Sequence, residues 1–488
     1  HLDVRRIRES VRERRILLRI APHLVHPIPF VIPTYGYGAQ GKGPLLLALA
    51  LYNLLAFDRN RGLKDPQRRI PWGRVISKGE CLRLFPALER RGLTGGVIFY
   101  DGQMYNPPRL ALSYLKSAVE AGAEAANYVQ VTGFLRDRDR VIGIKARDLL
   151  TGDELAVRSR MTLNASGPWV EELLRHVDVP ELRPPLPFSR DLYLVAGRPP
   201  SQKYALAVPS KHTDPNAIMS RGRRHLFIIP WRDHTLIGSS HVAHEGAAGD
   251  FAVTDKDIQE LSDEVNECYP ALQLTRDDIS FYNAGLVPMG ESNVGMTDLR
   301  LAQRFRIVDH ESADGISGLV SVSGIRWTTS GDVAEKAVNL VFRKLGLKPP
   351  KATRAETRVY GGHIDNFGEF SRREIRMRPF GLSEEVMGHL LRNHGSAYPE
   401  ILQVIEGTPE LRETIGSSTV IKAEVVHAVR VEMAQKLGDV VFRRTDLGAA
   451  GHPGEPALQS CAALMAAELK WDEARVRREL EEVRDVFP

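Results

Sequence analysis

The 488-residue sequence predicts an α/β protein whose last third is all helical. Three observations carry that expectation. Two buried-strand patterns, "MTLNASGPWVEELL" and "GLVSVSGIRWTTSGDVAEKAVNLV", each meet a glycine and then pass into a helix, as strands of an α/β sheet do. Between them, residues 191–241 read as antiparallel strands, and beyond Ser383 the apolar period is helical.

Bulk numbers set the outer limits. A chain this long exceeds one compact core, so two or three domains are expected. Hydrophobic content of 43% and charge of 26% exclude a disordered chain. The 66 basic residues exceed the 61 acidic ones by too little, and too diffusely, for nucleic acid to be a partner. The same excess would not repel a phosphorylated substrate or an anionic bilayer. Cys81, Cys268 and Cys461 form no CxxC pair, which fits structural thiols in a reducing, cytoplasmic setting.

In chain order, the opening residues are already helical in pattern, with Ile7, Val11, Leu17 and Leu18 near one stripe, so a missing N-terminal portion is expected. "HPIPFVIPTYG" reads as a strand that its prolines confine to an edge or a connection. The run "PLLLALALYNLLAF" (residues 44–57) is too short to span a membrane and reads as a buried helix in preference to a shallow membrane contact. A basic, turn-rich segment follows at residues 59–77. Next come a strand, a loop, and a helix that opens on Pro107 and Pro108, where proline is tolerated.

A meander follows, with "RDRDR" at a hairpin tip, and then a short buried strand over residues 160–165. "HLFIIPW" and "HTLIGSS" pair around a turn at Arg232 and Asp233, with Trp231 as a packing anchor. Residues 255–268 form an amphipathic helix, and residues 347–356 a linker to the helical part.

The two glycine turns carry the chemistry. Asn164, Ala165, Ser166, Gly167, Pro168 and Trp169 make one; Gly324, Ile325, Arg326, Trp327, Thr328 and Thr329 make the other. Ligands of α/β sheets sit outside strand carboxyl ends, where glycine admits close approach and a helix N-terminus offers N–H groups. Thr328 or Thr329 is expected to cap a helix starting near Asp332, and Arg326 adds a full positive charge suited to the electron-rich edge of a flavin. On spacing alone, an ordinary strand-turn-helix with a capping threonine is the better reading. His212 and His241 are secondary candidates for a base. His241 with His244 lacks the extra ligand a metal would need, and no metal site is expected.

"FYDGQMYNPPRLALSYLKSAVEAGAEAANYVQV", "NASGPW", "FIIPWRDHTLIGSS", "GLVSVSGIRWTTSG" and "KAEVVHAVRVEMAQKLGDVVFRRTDLG" resemble, in the same order, segments of the FAD-dependent glycerol-3-phosphate dehydrogenases, DAO-type oxidoreductases. The resemblance covers nearly the whole chain. It implies an FAD/NAD(P)-binding (Rossmann-like) domain at 1–22, 107–180 and 310–347 that lacks its first βαβ unit. A mixed or antiparallel substrate sheet would occupy 23–106 and 181–309, and an all-α domain 348–488. The glycine-rich fingerprint for the FAD pyrophosphate is absent, and such a unit needs about 30 residues upstream of His1.

Both turns then fall on flavin-contacting segments, Val131 falls against the adenosine half, and Arg326 stands where the family has lysine. The family's site histidine and substrate arginine correspond to Leu192 and Val287, so the base must come from elsewhere in the chain. The implied activity is hydride transfer to FAD from a small hydroxylated substrate, with or without a phosphate. Electrons would pass on to a quinone or oxygen, and peripheral contact with a membrane's cytoplasmic face is implied as well. Arg443 and Arg444 read as interdomain ion-pair residues. The alternative is a non-catalytic fragment of the same fold that cannot hold FAD.

Overall fold

The computed structural model describes residues 4–36, 42–176, 188–198, 203–213, 223–289, 305–324 and 326–488. Its strands, in order, are β1 (Val25–Tyr35), β2 (Arg74–Ser77), β3 (Leu93–Met104), β4 (Val129–Asp137), β5 (Arg140–Asp148), β6 (Glu154–Arg158) and β7 (Thr162–Asn164). These are followed by β8 (Phe188–Ala196), β9 (Ala205–Thr213), β10 (Arg223–Trp231), β11 (His234–His244), β12 (Ile279–Pro288), β13 (Arg306–Asp309) and β14 (Leu319–Ser323). They form one eight-stranded sheet, ordered β12-β8-β11-β10-β9-β1-β3-β2, and two three-stranded sheets, β13-β14-β7 and β4-β5-β6.

Alternation builds the large sheet. Leu192 and Leu194 turn to one face and pack with Leu206, Leu226 and Ile237 against Ile258, Leu261 and Val265 of helix Asp255–Cys268. That helix opens with a full capping box between Thr254 and Asp257, which fixes its start where the pattern predicts it. Val195, on the opposite face, packs with Trp231 and Phe281 against Phe442 of the C-terminal helices.

Strand β1 departs from expectation. It lies inside the sheet, paired with β3 along its whole length and with β9 at Phe30 and Val31. Pro27, Pro29 and Pro33 share one parity, so their missing N–H groups all fall on one side of the strand. One side therefore keeps a complete ladder while the other pairs at two positions only.

The apolar helix also differs. Helix Lys42–Leu55 forms, yet Leu46, Leu47, Leu51 and Leu54 are exposed, as are Phe57 just beyond it and the nearby Trp72. Its residues cover little of the interior, so the buried-helix expectation fails. The strand expected over residues 160–165 shrinks to the three residues of β7.

Helices Phe367–Met377, Glu384–His394, Tyr398–Gly407, Lys422–Glu432, Glu455–Leu469 and Glu473–Arg484 account for most of the last third. They bury two clusters, one around Leu390 and Ile401 and one around Val440, Leu458 and Met465.

Candidate active site

Strands β7 and β14 run parallel, with Thr162, Leu163 and Asn164 opposite Leu319, Val320 and Ser321. Their carboxyl ends are therefore side by side, and the two glycine turns leave the sheet at adjacent points. After β7, Gly167 has φ +62° and open space where a Cβ would stand. Buried Asn164 stitches this turn: its Nδ2 donates to Val170 O at 3.1 Å, and its Oδ1 accepts from Ser166 Oγ at 2.7 Å. A single 3₁₀ turn, Gly167–Trp169, follows and packs on both β14 and β12.

After β14, Gly324 has φ +73°, Trp327–Thr329 makes a second 3₁₀ turn, and helix Ser330–Lys344 begins. Ile325 lies outside the described residues. The expected threonine cap is absent at Thr329, the N-cap position, whose Oγ1 donates back to Arg326 O at 3.4 Å. The helix also starts two residues earlier than expected. Asp332 sits in its first turn and is paired with Arg12 and Lys336, so a carboxylate already faces the positive end of the dipole.

Trp169 and Trp327 are both about half exposed, at 47% and 38%, and flank the same pair of strand ends. Arg326 keeps accessible surface, yet its pKa is lowered from the usual guanidinium value by desolvation and by the positive field of Arg6, against the pull of Asp191. The guanidinium is thus exposed and lies within the field of Asp191. Two positive-φ glycines at parallel strand ends, two half-open indoles and an exposed arginine suit a flat ring that gains negative charge on reduction. These residues fit FAD.

Not every expected residue meets there. Val131 lies on β4 opposite Ala146, in the other three-stranded sheet. Leu192 is 2% exposed and turned into the core beneath helix Asp255–Cys268, so it presents nothing to a ligand. Val287 stands opposite Ser189, at the end of β12. His212 lies on β9, with its side chain outside the described set. His244 turns to Ala247 O at 3.0 Å, away from its expected companion His241. His241 instead places Nδ1 2.8 Å from Asp191 Oδ1. Trp231 is buried and donates from Nε1 to Tyr105 O at 3.1 Å, the packing role expected of it.

Asp191 escaped the reading of the sequence. Alternation held the clue, because a strand that turns Leu192 inward turns Asp191 to the opposite face.

Comparison with known proteins adds an independent finding. Residues 2–332 match the family described as FAD dependent oxidoreductase, and residues 353–476 match the C-terminal domain of alpha-glycerophosphate oxidase. The chain is 31% identical to a glycerol-3-phosphate dehydrogenase of Synechocystis sp., covering 98% of this chain and 85% of that one. It is 27% identical to the mitochondrial glycerol-3-phosphate dehydrogenase of Bos taurus, but spans only 64% of that protein's length. The fold is similar to the glycerol-3-phosphate dehydrogenase of Bacillus halodurans solved with FAD. The TM-score is 0.76 at 23% identity, over 98% of this chain and 84% of that one.

Proposed function

Because the chain belongs to the FAD-dependent oxidoreductase family, we propose that it oxidises a small secondary alcohol of the glycerol phosphate class. It is an FAD-dependent dehydrogenase or oxidase, and the non-catalytic alternative is not favoured. Bound FAD supplies a two-electron acceptor for the hydride leaving the alcohol carbon.

The chain's own residues do the rest. The turns at Asn164–Trp169 and Gly324–Thr329 bring bare main chain to the ring, and Val131 takes the adenosine side. Arg326 holds either the substrate's anionic group or the ring's electron-rich edge. On this reading residues 1–22, 107–180 and 310–347 form the cofactor domain, 23–106 and 181–309 the substrate sheet, and 348–488 the helical domain.

The observation that carries the proposal is the pair of positive-φ glycine turns at adjacent parallel strand ends, with exposed Arg326 in one of them. The test is anaerobic mixing of the FAD-loaded protein with sn-glycerol 3-phosphate and, separately, with glycerol, while the visible flavin band is followed. Bleaching by the phosphate ester first supports the proposal. No bleaching by either alcohol, in protein that dithionite still reduces, overturns it.

Electrons leave, on the same reading, to a quinone or to oxygen, and the quinone would be reached at a membrane surface. No described helix is long and apolar enough to cross a bilayer. The exposed leucines of helix Lys42–Leu55, with Phe57 and Trp72, instead form an apolar face with exposed Arg61 and Arg69 nearby. Arg8 covers the Phe57 ring and Arg59 the Trp72 ring, at 5.1 and 4.0 Å from their centroids. Arg59 is buried and Arg8 is paired with Asp58, so it is the exposed apolar side chains that suit the headgroup boundary of a bilayer.

A further inference from the structure

We propose that His241, held by Asp191, is the catalytic residue that takes the hydroxyl proton of the substrate; this rests on the alcohol-oxidising reading above. Strands β8, β11 and β12 lie side by side, and their register puts Asp191 directly opposite His241 on one side and Gly285 on the other. Directly opposed residues share a face of the sheet, here the face opposite buried Leu192. Turn Gly167–Trp169 packs on β12, and Arg326 feels the charge of Asp191, so this row borders the strand ends already described.

The row has the parts a base needs. His241 Nδ1 lies 2.8 Å from Asp191 Oδ1, which also accepts from Ser189 Oγ at 2.7 Å. A carboxylate on Nδ1 fixes the tautomer that carries its proton there, which leaves the Nε2 lone pair as the basic site. Ser239 Oγ stands 3.3 Å from Nε2. It reaches that nitrogen because the register slips between Gly238 and Ser240, and such a bulge re-aims the side chain of its extra residue. A hydroxyl thus already occupies the position that a substrate hydroxyl would take.

Room exists as well. A Cβ added at Gly285 would meet nothing within 4 Å, so the sheet face beside Asp191 is open where every other residue type would project a side chain. His241 and Asp191 are each about one-fifth exposed, which shelters the pair without sealing it. Among the described residues, the charged and titratable groups facing the pair are Arg326 from the β14 turn and Tyr193 of β8, which hydrogen-bonds Ser239.

The balance closes. The substrate O–H bond breaks and its proton goes to Nε2. The O–H electron pair becomes the second bond of the new carbonyl, and the C–H bond leaves with its pair as the hydride that FAD accepts. Asp191 offsets the imidazolium until the proton is released to solvent after the product leaves.

The test compares the FAD-loaded wild type with His241→Gln and Asp191→Asn. Both variants are expected to retain FAD and to be reduced by dithionite. Flavin reduction by sn-glycerol 3-phosphate should slow by about 10²–10⁴-fold in His241→Gln, with loss of the acid limb of its pH profile. Asp191→Asn should slow it less and move that limb. A readout independent of turnover is the histidine ring resonance that vanishes in His241→Gln. In the wild type it should shift on addition of dihydroxyacetone phosphate. If the wild type is reduced and His241→Gln is reduced as fast with an unchanged pH profile, this proposal alone fails. If neither alcohol reduces the wild type, the alcohol-oxidising reading fails and takes this one with it. Should His241→Gln not fold, Asp191→Asn decides: an unmoved pH limb overturns the proposal.

Discussion

Arg109 Nη1 lies 2.8 and 2.7 Å from the two carboxylate oxygens of Glu432, and both side chains are 1% exposed. The pair joins helix Pro107–Glu120, next to the meander, to helix Lys422–Glu432 in the last third. His394 Nδ1 stands 3.0 Å from the same guanidinium, and the carbonyls of Asn393 and Arg444 accept from it at 3.3 and 3.2 Å. Removing one partner strands a charge without water. Arg109→Ala or Glu432→Ala should each cost about 3–5 kcal/mol in urea unfolding, while the double change Arg109→Met with Glu432→Leu should cost much less. Equal losses in single and double variants would contradict this account.

The histidines around that pair predict a stability maximum near pH 6.5. Burial would lower the pKa of His389, but Asp446 and Glu424 outweigh it and raise the value to about 9. Its contribution is complete below the unfolded value of about 6.5 and is lost as pH climbs through 9. His23 and His394 are pushed down to about 3 and about 4, by burial and then by Arg109. They stay neutral in the fold, so stability falls as pH drops from 6.5 toward those values and the unfolded chain takes up protons. Unfolding midpoints from pH 4 to 10 should trace a dome, and His389→Gln should flatten its alkaline side only.

Surface chemistry predicts a separation of binding from stability. Leu47 and Phe57 are 72% and 71% exposed, so Leu47→Glu with Phe57→Glu should leave the free energy of unfolding within about 0.5 kcal/mol of wild type. The same change should abolish cosedimentation with phosphatidylglycerol vesicles. Retained cosedimentation would remove the helix from the membrane contact.

Gly318 has φ +80°, and a Cβ there would stand 2.2 Å from Val141 O. Gly318→Ala should cost about 1–3 kcal/mol in backbone strain, with a similar amount from the collision. Because Gly318 leads directly into β14, the variant should also lose flavin more readily on dialysis.

Arg326→Met removes the charge from the β14 turn, whereas Arg326→Lys keeps it. The first should lower kcat/KM for a phosphate ester by about two orders of magnitude, and the second by far less. Equal effects would mean that shape rather than charge matters at this position.

Local rules were enough for helix Asp255–Cys268, where the capping box and the apolar stripe agree, and for the β10–β11 hairpin, where Trp231 faces His234 across the turn. Relations across the chain were harder to read. Pro27, Pro29 and Pro33 argue against a central strand until their shared parity is set against two actual neighbours. The apolar run of Lys42–Leu55 does not say which of its faces is covered. His241 and Asp191 lie fifty residues apart, and only the register of β8 and β11 turns two ordinary strand residues into a pair. Both glycine turns were visible as strand ends, but that the strands are adjacent and parallel is a property of the sheet.

The adjacency of β7 and β14 also has a bearing on assembly. Three residues of β7 pair with a strand that the chain reaches only after the whole of β8 to β12 has been made, so closing this contact carries a loop-entropy cost, met by those pairings and by the packing of Leu319 on Val141, Val170 and Leu174. The ring's berth is therefore among the last parts of the molecule to take shape, and a cofactor that bridges the two strands would act as their clasp. Apoprotein should open first at that seam, with amide exchange at Leu163 and Val320 running ahead of exchange at Leu194 in the large sheet.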